Sequence, residues 1–357
     1  MKRNTLIIIF VSSLVLIFLM LSCTSPVEPI RIIDPRELVW EVDTMYHVAF
    51  GQPTLQTAMS AIWASSPSDV YIVGYNSWTS GKGYHFDGEK WEMLPLYGRI
   101  TFRDILGFSP NNIFTVGRRR SDNQNSSNAL VLQYNGNTWQ EHNLSDALEL
   151  QAIGANSPHN IWAGGWGSSI WNYNGTTWKT EQLPVSVPVE NHLGLNSIAV
   201  NRQGVVYANL YYYENEYARW TRYLVKRDQN GWSVIDTGII EPVRRDIKWG
   251  YSDLWFSPEG TLYSVGHGVF RWNGMEWERI FDRESGFISI YGTHDSNIFV
   301  VGNFGKVYHF NGIEWYSFDE FRADDVLFTD VWTAGEEVFV VGYTLSFPMK
   351  TIVLRGK

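Results

Sequence analysis

The chain has one cysteine, Cys23, in 357 residues. No intrachain disulfide is therefore available, and packing alone must hold the fold. Charge is also sparse, at 18% of residues, and the net charge is −9 at pH 7. A nucleic-acid binder needs a basic field, and this chain has none. The eight histidines show neither H-E-x-x-H nor H-x-x-x-H spacing. A G-x-S-x-G elbow and a phosphate loop are missing as well. Metallohydrolase, serine-hydrolase and nucleotide-binding chemistry thus have no entry point, and no metal or cofactor is expected. What the chain has in excess is aromatic: 17 Trp, 19 Tyr and 19 Phe. Such a load suits an all-β protein with large contacts between sheets, or a carbohydrate binder. Most of the tryptophans recur at one repeated position, which favours the structural role and leads one to expect residues such as Trp277 in the core.

The single long apolar run is at the N-terminus. Met1-Lys2-Arg3-Asn4 is positively charged, Thr5 to Leu21 is apolar or small, and Cys23 follows at once. This resembles a bacterial lipoprotein signal peptide, with Leu21-Ser22-Cys23 where the lipobox ends. Met20 departs from the leucine that the family prefers there. The resemblance implies that Cys23 becomes the first mature residue and carries the lipid, with palmitate among its acyl chains. Thr24, which is not aspartate, then points to the bacterial outer membrane or cell surface. The alternative is an uncleaved signal anchor, because the run is long for a signal core and short for a spanning helix. Lys2 and Arg3 are the only charges in the first 22 residues, so cleavage leaves a more acidic chain. The following stretch, 24–35, has three prolines and little periodicity, as a tether does. The expected organisation is a signal peptide over 1–22, a tether over 23–36 and one folded domain over 37–357.

That domain is built from copies of Ser289 to Phe318 (SIYGTHDSNIFVVGNFGKVYHFNGIEWYSF). The stretch reads as four strands: a short first one at Ser289–Gly292, a β-branched second at Asn297–Gly302, a third at Lys306–Phe310 and a fourth around Trp315. An Asn311-Gly312 hairpin joins the last two. The second-strand pattern, ending in glycine, recurs from Asp69, Asn112, Asn160, Gly260 and Glu337, and in a worn form that has lost the glycine from Gly204, giving seven copies. The hairpin and its tryptophan recur in step at Trp91, Trp139, Trp178, Trp232, Trp277 and Trp315. The seventh copy lacks its last strand, and an orphan strand at Glu37 to Val42, containing Trp40, stands at the other end of the domain. These pieces fit as an all-β, seven-bladed β-propeller of four-stranded blades, its ring closed by the N-terminal strand in the C-terminal blade. The pattern resembles kelch repeats, though it has one glycine where kelch units have two, except at Gly164-Gly165. It also resembles the Asp-box hairpin of sialidase-like propellers, but Asp87-Gly88 are adjacent where that motif spaces them. Both resemblances imply architecture more than activity.

Function is expected where the blades depart from the bare unit. Blade two inserts Arg118, Arg119 and Arg120 with a polar run after its second strand. Blade four inserts Tyr211, Tyr212, Tyr213, Tyr217, Arg219 and Trp220, and blade one presents Trp78. Aromatics interleaved with arginine suit a protein surface or sugar stacking. The alternative is that Tyr211 to Trp220 only lengthens two strands. A second candidate is a ring at the start of each first strand, where Asp104, Asp253 and Asp330 could hold a cation or only cap backbone N–H groups. His85 and His309 share a third-strand slot with Gln133, Asn172 and Arg271, an interchange that argues against metal binding. The expected function is a lipid-anchored, monomeric module of the cell envelope that binds a protein or polysaccharide partner, with no nucleic acid involved. The competing expectation is a glycan-active enzyme, sialidase-like or another glycosidase or lyase, although nothing in the sequence gathers the required residues.

Overall fold

The computed structural model describes residues 34, 37–78, 82–120, 127–144, 148–189, 192–214, 219–241, 244–334 and 337–357. The leader, Cys23 and Tyr217 lie outside them. All described residues belong to the unit spanning 32–357.

Among the described residues, seven antiparallel sheets form a closed ring beside a two-stranded ribbon at Val48–Ala49 and Gln52–Pro53, and in every blade but the last the strands neighbour one another in chain order. The blade first read from sequence comprises Phe287–His294, Asn297–Gly302, Lys306–Phe310 and Trp315–Ser317. Its first strand is longer than the four residues expected, because a bulge lets Phe287 and Ser289 both pair within the same ladder. Closure occurs as expected: Trp40–Met45 pairs antiparallel with Thr351–Gly356, from Trp40 opposite Gly356 to Met45 opposite Thr351. Val39 and Lys357 extend the ladder by exchanging N–H···O bonds at 2.9 and 3.1 Å. The chain therefore enters the ring at the end of the strap remote from Met45.

Seven apolar clusters hold the ring, one at each seam between neighbouring blades. Blades one and two share Val73, Phe102 and Leu130, for example, and blades six and seven share Phe299, Val338 and Leu354. The glycine that ends the second strand in five of the blades has a steric reason. A Cβ on Gly74, Gly117, Gly165, Gly302 or Gly342 would fall 1.9–2.3 Å from a carbonyl oxygen at the start of the first strand.

Two features differ from expectation. The repeated tryptophans are half-buried at the outer edge of the blades, most against the aromatic that ends the third strand, while Trp232 meets Trp162 of blade three edge-to-face. Trp91 on Phe86, Trp139 on Tyr134, Trp178 on Tyr173 and Trp315 on Phe310 lie 5.0–5.1 Å apart between centroids. Blade four carries a fifth strand, Arg244–Asp246, paired with Gly231–Glu241 through Ile239 opposite Asp246. The segment between blades four and five thus folds back on blade four. In the hairpins, only the glycine takes positive φ, for instance 93° at Gly136. The preceding Asn135 uses its side-chain oxygen to accept the N–H groups of Asn137 and Thr138 at 3.0 and 2.9 Å.

Candidate functional site

The axial channel comes first because the three aspartates meet there. First-strand bulges recur between Met59 and Ala61, Phe102 and Asp104, Leu150 and Ala152, Leu195 and Ser197, and Phe328 and Asp330. Each bulge aims one residue into the channel mouth, so that Ser60, Arg103, Gln151, Asn196 and Thr329 line a space of about 330 Å³ above the aspartates. A bulge re-aims a side chain in this way at little cost to the ladder.

The carboxylates themselves are occupied. Asp104 accepts the N–H of Ile153 in the next blade at 2.9 Å. Asp253 accepts Ile290 N–H at 3.1 Å and the Ser197 hydroxyl at 2.7 Å. Asp330 accepts Ile62 N–H at 2.9 Å and the Ser289 hydroxyl at 2.8 Å. Each also accepts the N–H of its own following residue. They staple one blade to the next, and Ser197 does the same for Leu254 at 2.9 Å. Burial raises the pKa of all three, and Asp330 is pushed up to about 7. Among the described residues, no three His, Cys, Asp or Glu are grouped to hold a metal ion. The histidine slot is structural: His85 meets Asp69 and His309 meets Asn297, both at 2.7 Å, as Gln133 meets Asn112 at 3.0 Å.

On the face bearing the second-to-third-strand loops, a cleft of about 470 Å³ lies between blades one and two. Its walls are Tyr75, Asn76, Ser77, Trp78, Lys82 and Arg99, with Arg118 and Arg120 completing it. Asn76 shapes the near wall. Its amide donates to the Thr54 and Thr57 hydroxyls at 3.2 and 3.0 Å, and its side-chain oxygen accepts Trp78 N–H at 2.7 Å. Lys82 is 2% exposed. Its ammonium donates to the Asn76 carbonyl and sits 5.1 Å from the centre of the Tyr75 ring. Burial lowers its pKa to about 8.

Strand alternation separates the three arginines of blade two. Arg118 and Arg120 face the cleft, whereas Arg119 turns away and pairs with Glu141 at 2.8 Å. Glu149, 4% exposed, holds both Arg118 (3.1 Å) and Arg103 (2.6 Å). Arg99 and Arg120 have no ion-pair partner among the described residues. The cleft thus concentrates positive charge on a chain of net charge −9. Lys82 and Arg99 carried no sequence signal, because each stands singly in a turn.

Blade four supplies the third place. Val206–Glu214 and Arg219–Asp228 pair to their ends, Glu214 opposite Arg219, so the insertion does lengthen two strands. Alternation then sorts it. Tyr211, Tyr213, Trp220 and Arg222 face a cavity of about 520 Å³ together with Trp166, His192 and Asn196. Tyr212 points the other way, into the apolar core between blades three and four. Arg219 lies outside this cavity and approaches Glu241 and Glu214 at 3.8 and 4.0 Å.

No family model matches the chain, and no curated protein matches it. Among solved structures it is similar to YCF48 bound to D1 peptide, with 15% identity and a TM-score of 0.55 over 88% of this chain and 96% of that one. It is similar also to YCF48 from Cyanidioschyzon merolae, with 14% identity and a TM-score of 0.56 over 88% of this chain and 98% of that one. The chain is a seven-bladed β-propeller. At such identities the likeness concerns the fold alone, and repeats of kelch or sialidase type are not part of it.

Proposed function

We propose that this protein is a lipid-anchored propeller of the bacterial cell envelope that captures an anionic segment of a protein partner on its loop face. The observation that carries the reading is the cleft of Lys82, Arg99, Arg118 and Arg120, edged by Tyr75 and Trp78. Arg99 and Arg120, with no ion-pair partner among the described residues, stand beside exposed aromatic edge and suit carboxylates flanked by apolar residues. Trp78 and Phe50, 44% and 91% exposed, meet edge-to-face at 5.4 Å and form an apolar lip. The peptide in one of the similar structures supports a peptide as ligand for a fold of this kind. The chain that leads from Cys23 joins the ring at the Trp40 end of the closing strand, remote from Met45.

The reading is tested by co-purification from detergent extracts of the envelope. Arg99→Glu combined with Arg120→Glu should abolish recovery of a partner that the wild-type protein retains; undiminished recovery would reject the cleft. Cys23→Ser should release the protein from membranes, and retention would favour an uncleaved anchor. The glycan-enzyme alternative would recruit Asp104, Asp253 or Asp330, each of which accepts an N–H of a neighbouring blade.

A further inference from the structure

Arg222 is a cation of the loop face that the cleft does not use. Its Nε and Nη1 are buried and have no hydrogen-bond partner among the described residues. Three rings surround the guanidinium: Tyr251 at 4.8 Å, Trp220 at 5.2 Å and Tyr211 at 5.3 Å from carbon to ring centre. Burial lowers its pKa to about 10, so it remains charged at neutral pH. A desolvated guanidinium with no carboxylate beside it among the described residues is costly, and stacking on rings offsets only part of the loss.

The walls are held rather than loose. Gln151, aimed inward by its bulge, donates to the Tyr211 hydroxyl at 3.2 Å and accepts from the Trp166 indole N–H at 3.1 Å, in the amide orientation that satisfies both ends. Tyr213 and Trp220 pair across the strands at 4.3 Å between centroids. Position 194 is glycine because a Cβ there would lie 2.3 Å from the Tyr211 ring.

From this arrangement we propose that the cavity of Trp166, Tyr211, Tyr213, Trp220 and Arg222 binds a carboxylate joined to an apolar ring or side chain. The carboxylate pairs with Arg222 and the apolar part lies among the rings. A sugar acid fits less well, since its hydroxyls need several polar partners and the wall is mainly ring surface, with the Tyr211 hydroxyl and the Trp166 indole N–H already taken by Gln151. Such a carboxylate is presented either by a free small acid or by the last residue of a polypeptide. The site is separate from the cationic cleft and stands whether or not the cleft reading holds.

The test is calorimetric titration of the full-length protein in detergent with N-acetyl-phenylalanine, its amide, glucuronate, and a pentapeptide ending in phenylalanine with a free or amidated C-terminus. The acid should bind roughly tenfold or more tighter than the amide, as a charge-assisted hydrogen bond provides. Arg222→Met should erase that difference, Arg222→Lys should keep part of it, and Arg99→Glu should leave it unchanged. If the free-ended peptide binds tighter than the blocked amino acid, the natural ligand is a polypeptide end; equal binding indicates a small acid. Equal affinity for acid and amide in the wild-type protein overturns the proposal without recourse to any variant. So does tighter binding of glucuronate.

Discussion

A methyl group at position 194 has nowhere to go, and this links one residue to a whole cavity wall. Gly194→Ala should push the Tyr211 ring away from Leu193–Val200, costing about 1–3 kcal/mol as overpacking does. Urea unfolding together with the N-acetyl-phenylalanine titration checks this; an unchanged midpoint would mean that the ring moves freely. Lys82 gives a prediction in pH. Its folded-state pKa lies near 8, so the amine loses its charge as pH rises through that value. Affinity for an acidic peptide should fall above pH 8, and Lys82→Met should remove that fall while leaving the weaker binding of the remaining arginines. At this scale the sequence was partly legible. Period-two alternation separates Tyr211 and Tyr213 from Tyr212, and Arg118 and Arg120 from Arg119, once the strand is known to continue. Arg222, Lys82 and Gln151 were not legible. Their roles come from a cross-strand partner, a turn and a bulge, none of which leaves a residue pattern in one chain.

At the scale of elements, the seams between first strands decide how the blades stay together. Asp330 joins blade seven to Ile62 of blade one and to Ser289 of blade six. Asp330→Ala leaves those donors unsatisfied in a buried channel and should cost roughly 2–4 kcal/mol, read as a shift in the urea midpoint. Because burial raises the folded-state pKa of Asp330 to about 7, the folded chain holds a proton that the unfolded chain releases at lower pH. The resulting stabilisation is complete in acid and is lost as pH rises through about 7. The wild-type midpoint should therefore fall between pH 5 and pH 8, and Asp330→Asn should flatten that slope; a rise over the same range would contradict the assignment. The repeated tryptophans show the limit of reading elements from composition. Their period located the hairpins, yet the expected core position is an outer edge, where Trp277 meets Trp272 edge-to-face at 5.4 Å. Trp277→Ala should accordingly cost about 2 kcal/mol, below the ~3–5 kcal/mol of a fully buried aromatic.

For the molecule as a whole, the strap makes a ring out of a row. Blade seven has three strands from the C-terminus and takes its fourth from Trp40–Met45. The fold was legible because the repeat is written seven times and its missing strand is visible at the opposite end of the domain. Deleting Glu37 to Val42 should broaden the unfolding transition and lower its midpoint, and an unaltered transition would reject the closure. The loop face was less legible, since cleft and cavity are each assembled from neighbouring blades that the repeat keeps tens of residues apart in the chain. The overall acidity of the chain also hid a local reversal of charge. The claim that this reversal is the protein's recognition surface is tested most directly by titrating an aspartate- and glutamate-rich peptide into the full-length protein at low and at physiological salt. The wild-type protein should bind it with an affinity that falls with salt. Arg99→Glu with Arg120→Glu should weaken that binding at least tenfold, while Arg202→Glu, an exposed arginine outside the cleft, leaves it unchanged. Equal binding by all three proteins would contradict the account.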